Sequence, residues 1–202
     1  TREQRTAAVE LWLRQAQRRA RLARDLVEKE HVVRFERGVL SSGLKTPFFV
    51  DFHLLSPSML GNIAVCMDDI IAERGFSFTH VAGVPHGGDE IAWKIARLYD
   101  AEYVCLMKND GRLWIDNEFH VSAGDAVLIV EDVLTTGGNT FAAMHALAVY
   151  KIRIAGVVAI CDREQGGRTL LEECGYPTAS LFTARGLLAA ARVAGVVTEE
   201  QH

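Results

Sequence analysis

The stretch VLIVEDVLTTGGNT, Val127 to Thr140, joins an apolar run to two adjacent acids and then to a glycine-bearing turn. Glu131 and Asp132 follow the run directly, and an acid pair at the end of a buried strand costs free energy unless something engages it. The next residues, Thr135, Thr136, Gly137, Gly138, Asn139 and Thr140, lead into a helical pattern. Backbone N–H groups at a helix start, supplemented by threonine hydroxyls, form an anion site. Glycines let the backbone curl around a phosphate without side-chain collision. Carboxylates are poor neighbours for a phosphate but good acceptors for the hydroxyls of a sugar. The combination fits a phosphorylated sugar, hydroxyls to the acids and phosphate to the turn. A Gly-Gly turn alone is more simply an ordinary strand-to-helix connection with acids in solvent. The acid pair and both threonines together favour the sugar-phosphate reading. Competing phosphate motifs fail, since neither GxxxxGK[ST] nor GxGxxG occurs in the chain.

Such residues need a scaffold, and the chain supplies an alternation of strands and helices. An amphipathic helix is expected from about Ala7 to Glu30, with Val9, Leu13, Ala16, Ala20, Ala23 and Val27 on one face. Its arginines, Arg14, Arg18, Arg19, Arg21 and Arg24, read as a solvated face interspersed with acids rather than a nucleic-acid surface. FERGVLSSGLKTPFFVDF mixes turn, aromatic and β-branched residues and predicts short strands around a loop. Helices are expected in SMLGNIAVCMDDIIAERG, GGDEIAWKIARLYD, NTFAAMHALAVY, GGRTLLEECG and ARGLLAAARVAG. Strands are expected in HVAGVP, EYVCLM, AVLIV, IAGVVAI and TASLFT, with a polar stretch from Lys108 to Gly124. Continuous apolar strands alternating with helices predict an α/β fold, a parallel sheet covered on both faces. In such sheets ligands sit beyond the carboxyl ends of the strands, so the loops after Val84, Met107, Val130 and Ile160 should hold the chemistry.

At 202 residues the chain suits one domain with a sizeable core. A net charge of −4 gives no global push toward nucleic acid or an anionic membrane. No apolar run reaches the roughly 20 residues that a membrane-spanning helix needs. Arg2, Glu3 and Arg5 open a charged helical pattern rather than a secretory signal. Cys66, Cys105, Cys161 and Cys174 form no CxxC pair, which argues against a zinc site or a redox motif. Three of the four sit in apolar segments, as buried reduced thiols would, and the expected setting is cytoplasmic.

VLIVEDVLTTGGNT resembles the phosphoribosyl-pyrophosphate (PRPP) signature of type I phosphoribosyltransferases, in the form found in the orotate phosphoribosyltransferase family. The resemblance implies that Glu131 and Asp132 hold the ribose hydroxyls, and that Thr135, Thr136, Gly137, Gly138 and Thr140 wrap the 5-phosphate. SSGLKTPFFVD is similar to a family segment that forms part of a hood over the base, to which residues from about 30 to 55 would contribute. There Lys45 approaches PRPP and orotate, while Phe48 and Phe49 line the base site. A lysine beside two aromatics also suits a flat anionic ring on its own chemistry, offering charge and an apolar wall. CDREQGG resembles the family's strand-end DRxxGG, with Arg163 on the orotate carboxylate side. A guanidinium binds a carboxylate or carbonyl edge through two parallel hydrogen bonds, which lysine cannot reproduce. GVPHGGDEIA resembles the pyrophosphate loop, where Gly87 and Gly88 provide close approach, often beside a strained non-proline peptide.

The resemblance covers about residues 20 to 190 and departs from the family in MKNDGRLWIDNEFHVSAGD, Met107 to Asp125. The family's catalytic loop opens with Arg-Lys; here Met107 precedes Lys108, Gly111 takes the second lysine position, and Arg112 follows one residue on. Lys108 and Arg112, with Asp132, are the expected catalytic residues. Leu113, Trp114 and Ile115 make an apolar run that suits packing over a substrate or against a partner subunit. The expectation is a single type I phosphoribosyltransferase domain over residues 1–202. It would transfer ribose 5-phosphate from PRPP to orotate, releasing pyrophosphate. The resemblance further implies Mg²⁺ carried by PRPP with no direct protein ligand, and a homodimer. Transfer to another base, or PRPP or nucleotide sensing without catalysis, remain open alternatives.

Overall fold

The computed structural model describes residues 2–34, 38–39, 45–46, 48–116 and 120–196. Helix α1 (Arg2–Glu28) leads into four two-residue strands, β1 (Val33–Arg34), β2 (Gly38–Val39), β3 (Lys45–Thr46) and β4 (Phe49–Val50). β1 pairs antiparallel with β4, and β2 with β3. The chain then alternates through α2 (Pro57–Arg74), β5 (His80–Gly83), α3 (Asp89–Tyr99) and β6 (Glu102–Val104). An antiparallel hairpin follows, β7 (Leu106–Asn109) and β8 (Arg112–Ile115). The remaining elements are β9 (Ala126–Leu134), α4 (Gly138–Ala148), β10 (Arg153–Asp162), α5 (Gly167–Glu173), β11 (Thr178–Thr183) and α6 (Ala184–Val193).

Five of these strands form one parallel sheet in the order β11-β10-β9-β5-β6. Their apolar runs are continuous because both faces are covered. Leu128 and Val130 of β9 join the cluster containing Ile63, Met67, Ile91 and Ile95 from α2 and α3. Val127 and Ile129 join the opposite cluster with Ala143 and Leu147 of α4 and Leu171 of α5. The strand order reverses between β5 and β9, so their connections leave in opposite directions and open a crevice at their carboxyl ends. That crevice is the switch point at which sheets of this type bind ligands.

Local signals account for the helix ends. Ser56 caps α2, its hydroxyl accepting from the Met59 N–H at 3.3 Å, and Pro57 follows at the first turn. Gly75 closes α2 in the left-handed region at φ 66°. Helix α1 starts earlier than expected, and only part of its apolar face is used. Leu22, Ala23, Leu26 and Val27 are buried, whereas Val9 and Leu13 are 56% and 45% exposed. Arg18 and Arg19 pair with Asp69 and Glu73 of α2, as a solvated ion-paired face does.

Two strands differ from expectation. EYVCLM is not one strand: β6 is a sheet edge whose register on β5 ends at Ala82↔Val104, and the chain beyond Cys105 pairs with β8 instead. The weakly patterned polar stretch therefore contains a hairpin. β9 does not stop at Val130 but runs through the acid pair to Leu134, because β10 continues the ladder at Glu131↔Ala159, Val133↔Cys161 and Leu134↔Asp162.

Candidate active site

A cleft of about 330 Å³ lies at the switch point, against the ends of β5 and β9. Glu131, Asp132 and Thr135 form its floor, with Pro85, His86 and Gly87 on one side. Phe49 and His53 approach from the β1–β4 segment, Lys108 from the hairpin, and Arg163 from the end of β10. A cavity of about 420 Å³ between α1 and α2 is larger, but Arg18 there is already paired with Asp69. It lies away from the strand ends and has neither the acid pair nor the glycine turn. The chemistry belongs to the cleft.

The two acids point to opposite faces because they are successive residues of one strand. Glu131 turns toward α4, is 3% exposed, and accepts a hydrogen bond from the hydroxyl of Thr140. Burial, followed by the neighbouring charge of Asp132, pushes its carboxyl up to about 8 against the lowering effect of that hydroxyl. Asp132 turns toward α3. Burial raises its carboxyl too, opposed by the Val133 backbone amide and the charge of His53.

The loop after β5 lies on the end of β9. Val84 N–H donates to the Val130 carbonyl at 2.8 Å, and the Pro85–His86 peptide bond is cis. A Cβ on Gly87 would overlap the Asp132 carboxylate, and one on Gly88 the Val130 carbonyl oxygen. Only glycine permits this approach, which brings Gly87 to the cleft while the Gly88 N–H donates to the Val84 carbonyl at 3.0 Å. Beyond β9, Gly137 adopts φ 86° in the left-handed region and delivers the chain into α4 at Gly138. Gly167 N–H donates to the Thr135 carbonyl at 2.9 Å, so the loop after β10 braces this turn. Gly137 gives the first turn of α4 no side-chain cap, and uncapped N–H groups at a helix start suit an anion.

At the other end, the Arg163 guanidinium stacks 4.6 Å from the centroid of the Phe48 ring and donates to the Phe48 carbonyl at 3.3 and 3.4 Å. Arg163 is 7% exposed, and burial lowers its affinity for the proton. In the hairpin, Leu106 and Lys108 share a face with Leu113 and Ile115, while Met107 and Asn109 share the other with Trp114 and Arg112. The inner face carries Lys108 to the cleft, where its Nζ donates to Asn139 Oδ1 at 3.5 Å. Arg112 is exposed on the outer face, away from its own cleft.

Comparison with known proteins places this arrangement. No family model matches the chain. The orotate phosphoribosyltransferase of Pyrococcus furiosus is 30% identical over 172 residues, covering 83% of this chain and 94% of its own length. That of Halobacterium salinarum is 35% identical over 160 residues, covering 77% and 89%. The chain belongs to the orotate phosphoribosyltransferase family. The structure of the Mycobacterium tuberculosis H37Rv orotate phosphoribosyltransferase in complex with 5-phospho-alpha-D-ribosyl 1-diphosphate superposes with a TM-score of 0.65. It is 26% identical, over 84% of this chain and 98% of that one. The parallel-sheet type I phosphoribosyltransferase fold expected from the sequence is the fold observed.

Within that family frame, the fold gathers Glu131, Asp132, Thr135, Gly87, Lys108, Phe49 and Arg163 around one cleft. Thr136, Gly137 and Gly138 form the turn from β9 into α4, and Phe48 backs Arg163. Thr140 is fully buried with its hydroxyl on Glu131, so any contact from it to a phosphate falls to its backbone. Lys45 lies in β3, and its side chain lies outside the described residues, as do Ser41 to Leu44 and Pro47. Three polar cleft residues carried no expected role, His53, His86 and Asn139. The aspartate two residues before His53, in VDFH, is the sequence signal for the first, since an Asx side chain commonly bonds two residues on.

Proposed function

We propose that this chain is an orotate phosphoribosyltransferase, transferring ribose 5-phosphate from PRPP to orotate in the making of pyrimidine nucleotides. The observation that carries it is the acid pair of β9 placed beside the Gly137 turn at the sheet's switch point. Asp132 and Glu131 take the ribose hydroxyls, and the amides from Thr136 to Thr140 take the 5-phosphate. The amide of Gly87, with Lys108, takes the diphosphate, while Gly88, whose N–H is donated to the Val84 carbonyl at 3.0 Å, serves the close approach of the loop to β9. Orotate lies against Phe48 and Phe49, its carboxylate toward Arg163 and Lys45. A base nitrogen forms its bond to ribose C1 as the bond from C1 to the diphosphate oxygen breaks; that electron pair leaves with pyrophosphate, and the proton on the base nitrogen passes to solvent. The transition state has oxocarbenium character, so the protein contributes positioning and neutralisation of the leaving group.

The family implies Mg²⁺ travelling with PRPP. Among the described residues no three ligating side chains stand together, and an ion travelling with PRPP would be held mainly by substrate oxygens. Glu131 and Asp132 would hold it only through the sugar hydroxyls. When bound, it supplies further charge neutralisation to the diphosphate. No described helix is long and apolar enough to cross a membrane, in keeping with a cytoplasmic setting. The outer hairpin face of Met107, Arg112 and Trp114 suits cover by a second copy in a homodimer.

The test is pyrophosphate release from PRPP and Mg²⁺ with a panel of bases. Release with orotate is expected. Release with a different base only would reassign the acceptor, and PRPP binding without turnover on any base would overturn the enzyme reading.

A further inference from the structure

Between β4 and α2 the chain Asp51-Phe52-His53 folds back on itself. One oxygen of the Asp51 carboxylate accepts two hydrogen bonds from His53, from the backbone N–H at 3.0 Å and from ring Nδ1 at 2.8 Å. Arg34 of β1 donates to the other oxygen at 2.8 Å. Phe52, 5% exposed, anchors this turn in the core. One ring nitrogen of His53 is therefore fixed. The other, Nε2, is not engaged by Asp51, and His53, 58% exposed in its side chain, lines the cleft together with His86, Gly87 and Asp132.

An imidazole whose Nδ1–H is held by a carboxylate keeps one orientation, and only its doubly protonated form also donates from Nε2. Burial alone would raise the Asp51 carboxyl, but His53 and Arg34 together hold it below the usual carboxylate range. Asp51 is thus ionised and able to orient the ring. Facing the cleft are the carboxylates Glu131 and Asp132 from β9, with Lys108 from β7 and Arg163 after β10 as its permanent cations among the described residues. Arg163 is committed to Phe48 at the opposite end. Among the described side chains, Lys108 would otherwise be the cation to meet a diphosphate carrying several negative charges. The ribose hydroxyls already have two acids, so an Nε2–H donor beside Gly87 matches an anionic oxygen.

Resting on the reaction described above, we propose that His53 is a substrate-contacting residue that, in its doubly protonated form, donates Nε2–H to the diphosphate group, with Asp51 as its positioning residue and Arg34 holding Asp51. The assignment is tested by calorimetry with inorganic pyrophosphate and, separately, ribose 5-phosphate, neither of which requires turnover. His53→Ala should weaken pyrophosphate binding about tenfold or more, the loss of one charge-assisted hydrogen bond, and leave ribose 5-phosphate within twofold. His53→Arg should recover most of the pyrophosphate affinity. Asp51→Asn should weaken pyrophosphate binding in the wild-type background and change little once His53 is alanine, while Asp51→Glu restores it.

Equal loss of both ligands in His53→Ala, no loss of pyrophosphate, or additive effects of the two changes would overturn the proposal. So would absence of pyrophosphate binding by the wild-type chain. Failure of orotate turnover with the pyrophosphate difference intact would instead count against the acceptor and leave His53 assigned.

Discussion

The hydroxyl of Thr140, in the first turn of α4, donates its hydrogen bond to the carboxylate of Glu131 on β9. This one bond ties the phosphate turn to the acid pair and sets a pH dependence. The folded-state carboxyl holds its proton up to about 8, against 4.5 without the fold, with burial as the main cause. Between those values the native chain binds more protons than the unfolded one, so stability falls as pH rises through that window. Glu131→Gln removes the titration. Denaturant unfolding should therefore show the variant gaining on wild type from pH 5 to pH 8.5, by on the order of 3 kcal/mol. Curves that stay parallel across that range would refute the assignment. Thr140→Val, which removes the lowering contact, should steepen the wild-type slope.

Gly87 and Gly88 are adjacent, yet their substitution should fail in different ways. An added methyl on Gly87 meets the Asp132 side chain, which can swing at the expense of its aim into the cleft. Gly87→Ala should keep its thermal midpoint near wild type and lose about 10²-fold in kcat/KM for PRPP through misplacement. On Gly88 the methyl meets backbone, the Val130 carbonyl and the Val84 amide, neither of which can move alone. Gly88→Ala should lose about 1 to 3 kcal/mol of stability by overpacking. The same response at both positions would contradict this division.

The acid pair, the glycine turn and the strand–helix alternation were legible in the sequence because each is a local signal. What escaped reading depends on neighbours distant in the chain. Val130 looked like the end of its strand since the apolar run stops there, but β10 supplies ladder partners as far as Leu134. Cys105 looked internal to a strand until β5 ran out beside it and β8 took over the pairing. Thr140 carries a phosphate-binding pattern, and only the packing of α4 on β9 turns its hydroxyl to Glu131. Asp51 and His53 are two residues apart, yet their importance appears only when the turn is laid against Gly87 and Asp132.

Lys108 and Arg112 are close in sequence, but hairpin register puts them on opposite faces. Lys108→Ala should lower turnover by about 10² to 10³-fold with PRPP affinity changed no more than threefold, as loss of leaving-group stabilisation requires. Arg112→Ala should reduce turnover less than tenfold. Steady-state pyrophosphate release and equilibrium PRPP binding decide the matter. Equal loss of both quantities at Lys108, or a larger loss at Arg112 than at Lys108, would show the hairpin to be misassigned.

Arg163 is held between a ring face and a backbone carbonyl, both from Phe48. A planar guanidinium satisfies stacking and a two-pronged bond at once, whereas an ammonium on a flexible stem does neither well. Arg163→Lys keeps the charge and removes the geometry, so it tests which of them the base site uses. The KM for orotate should rise about 10 to 100-fold, the range expected for a hydrogen bond to a charged group, with PRPP affinity unchanged. Phe48→Leu should produce a smaller rise, because it removes the stacking face and leaves the carbonyl in place. If Arg163→Lys were silent toward orotate, charge alone would suffice there and the stacked geometry would serve only to pack the loop.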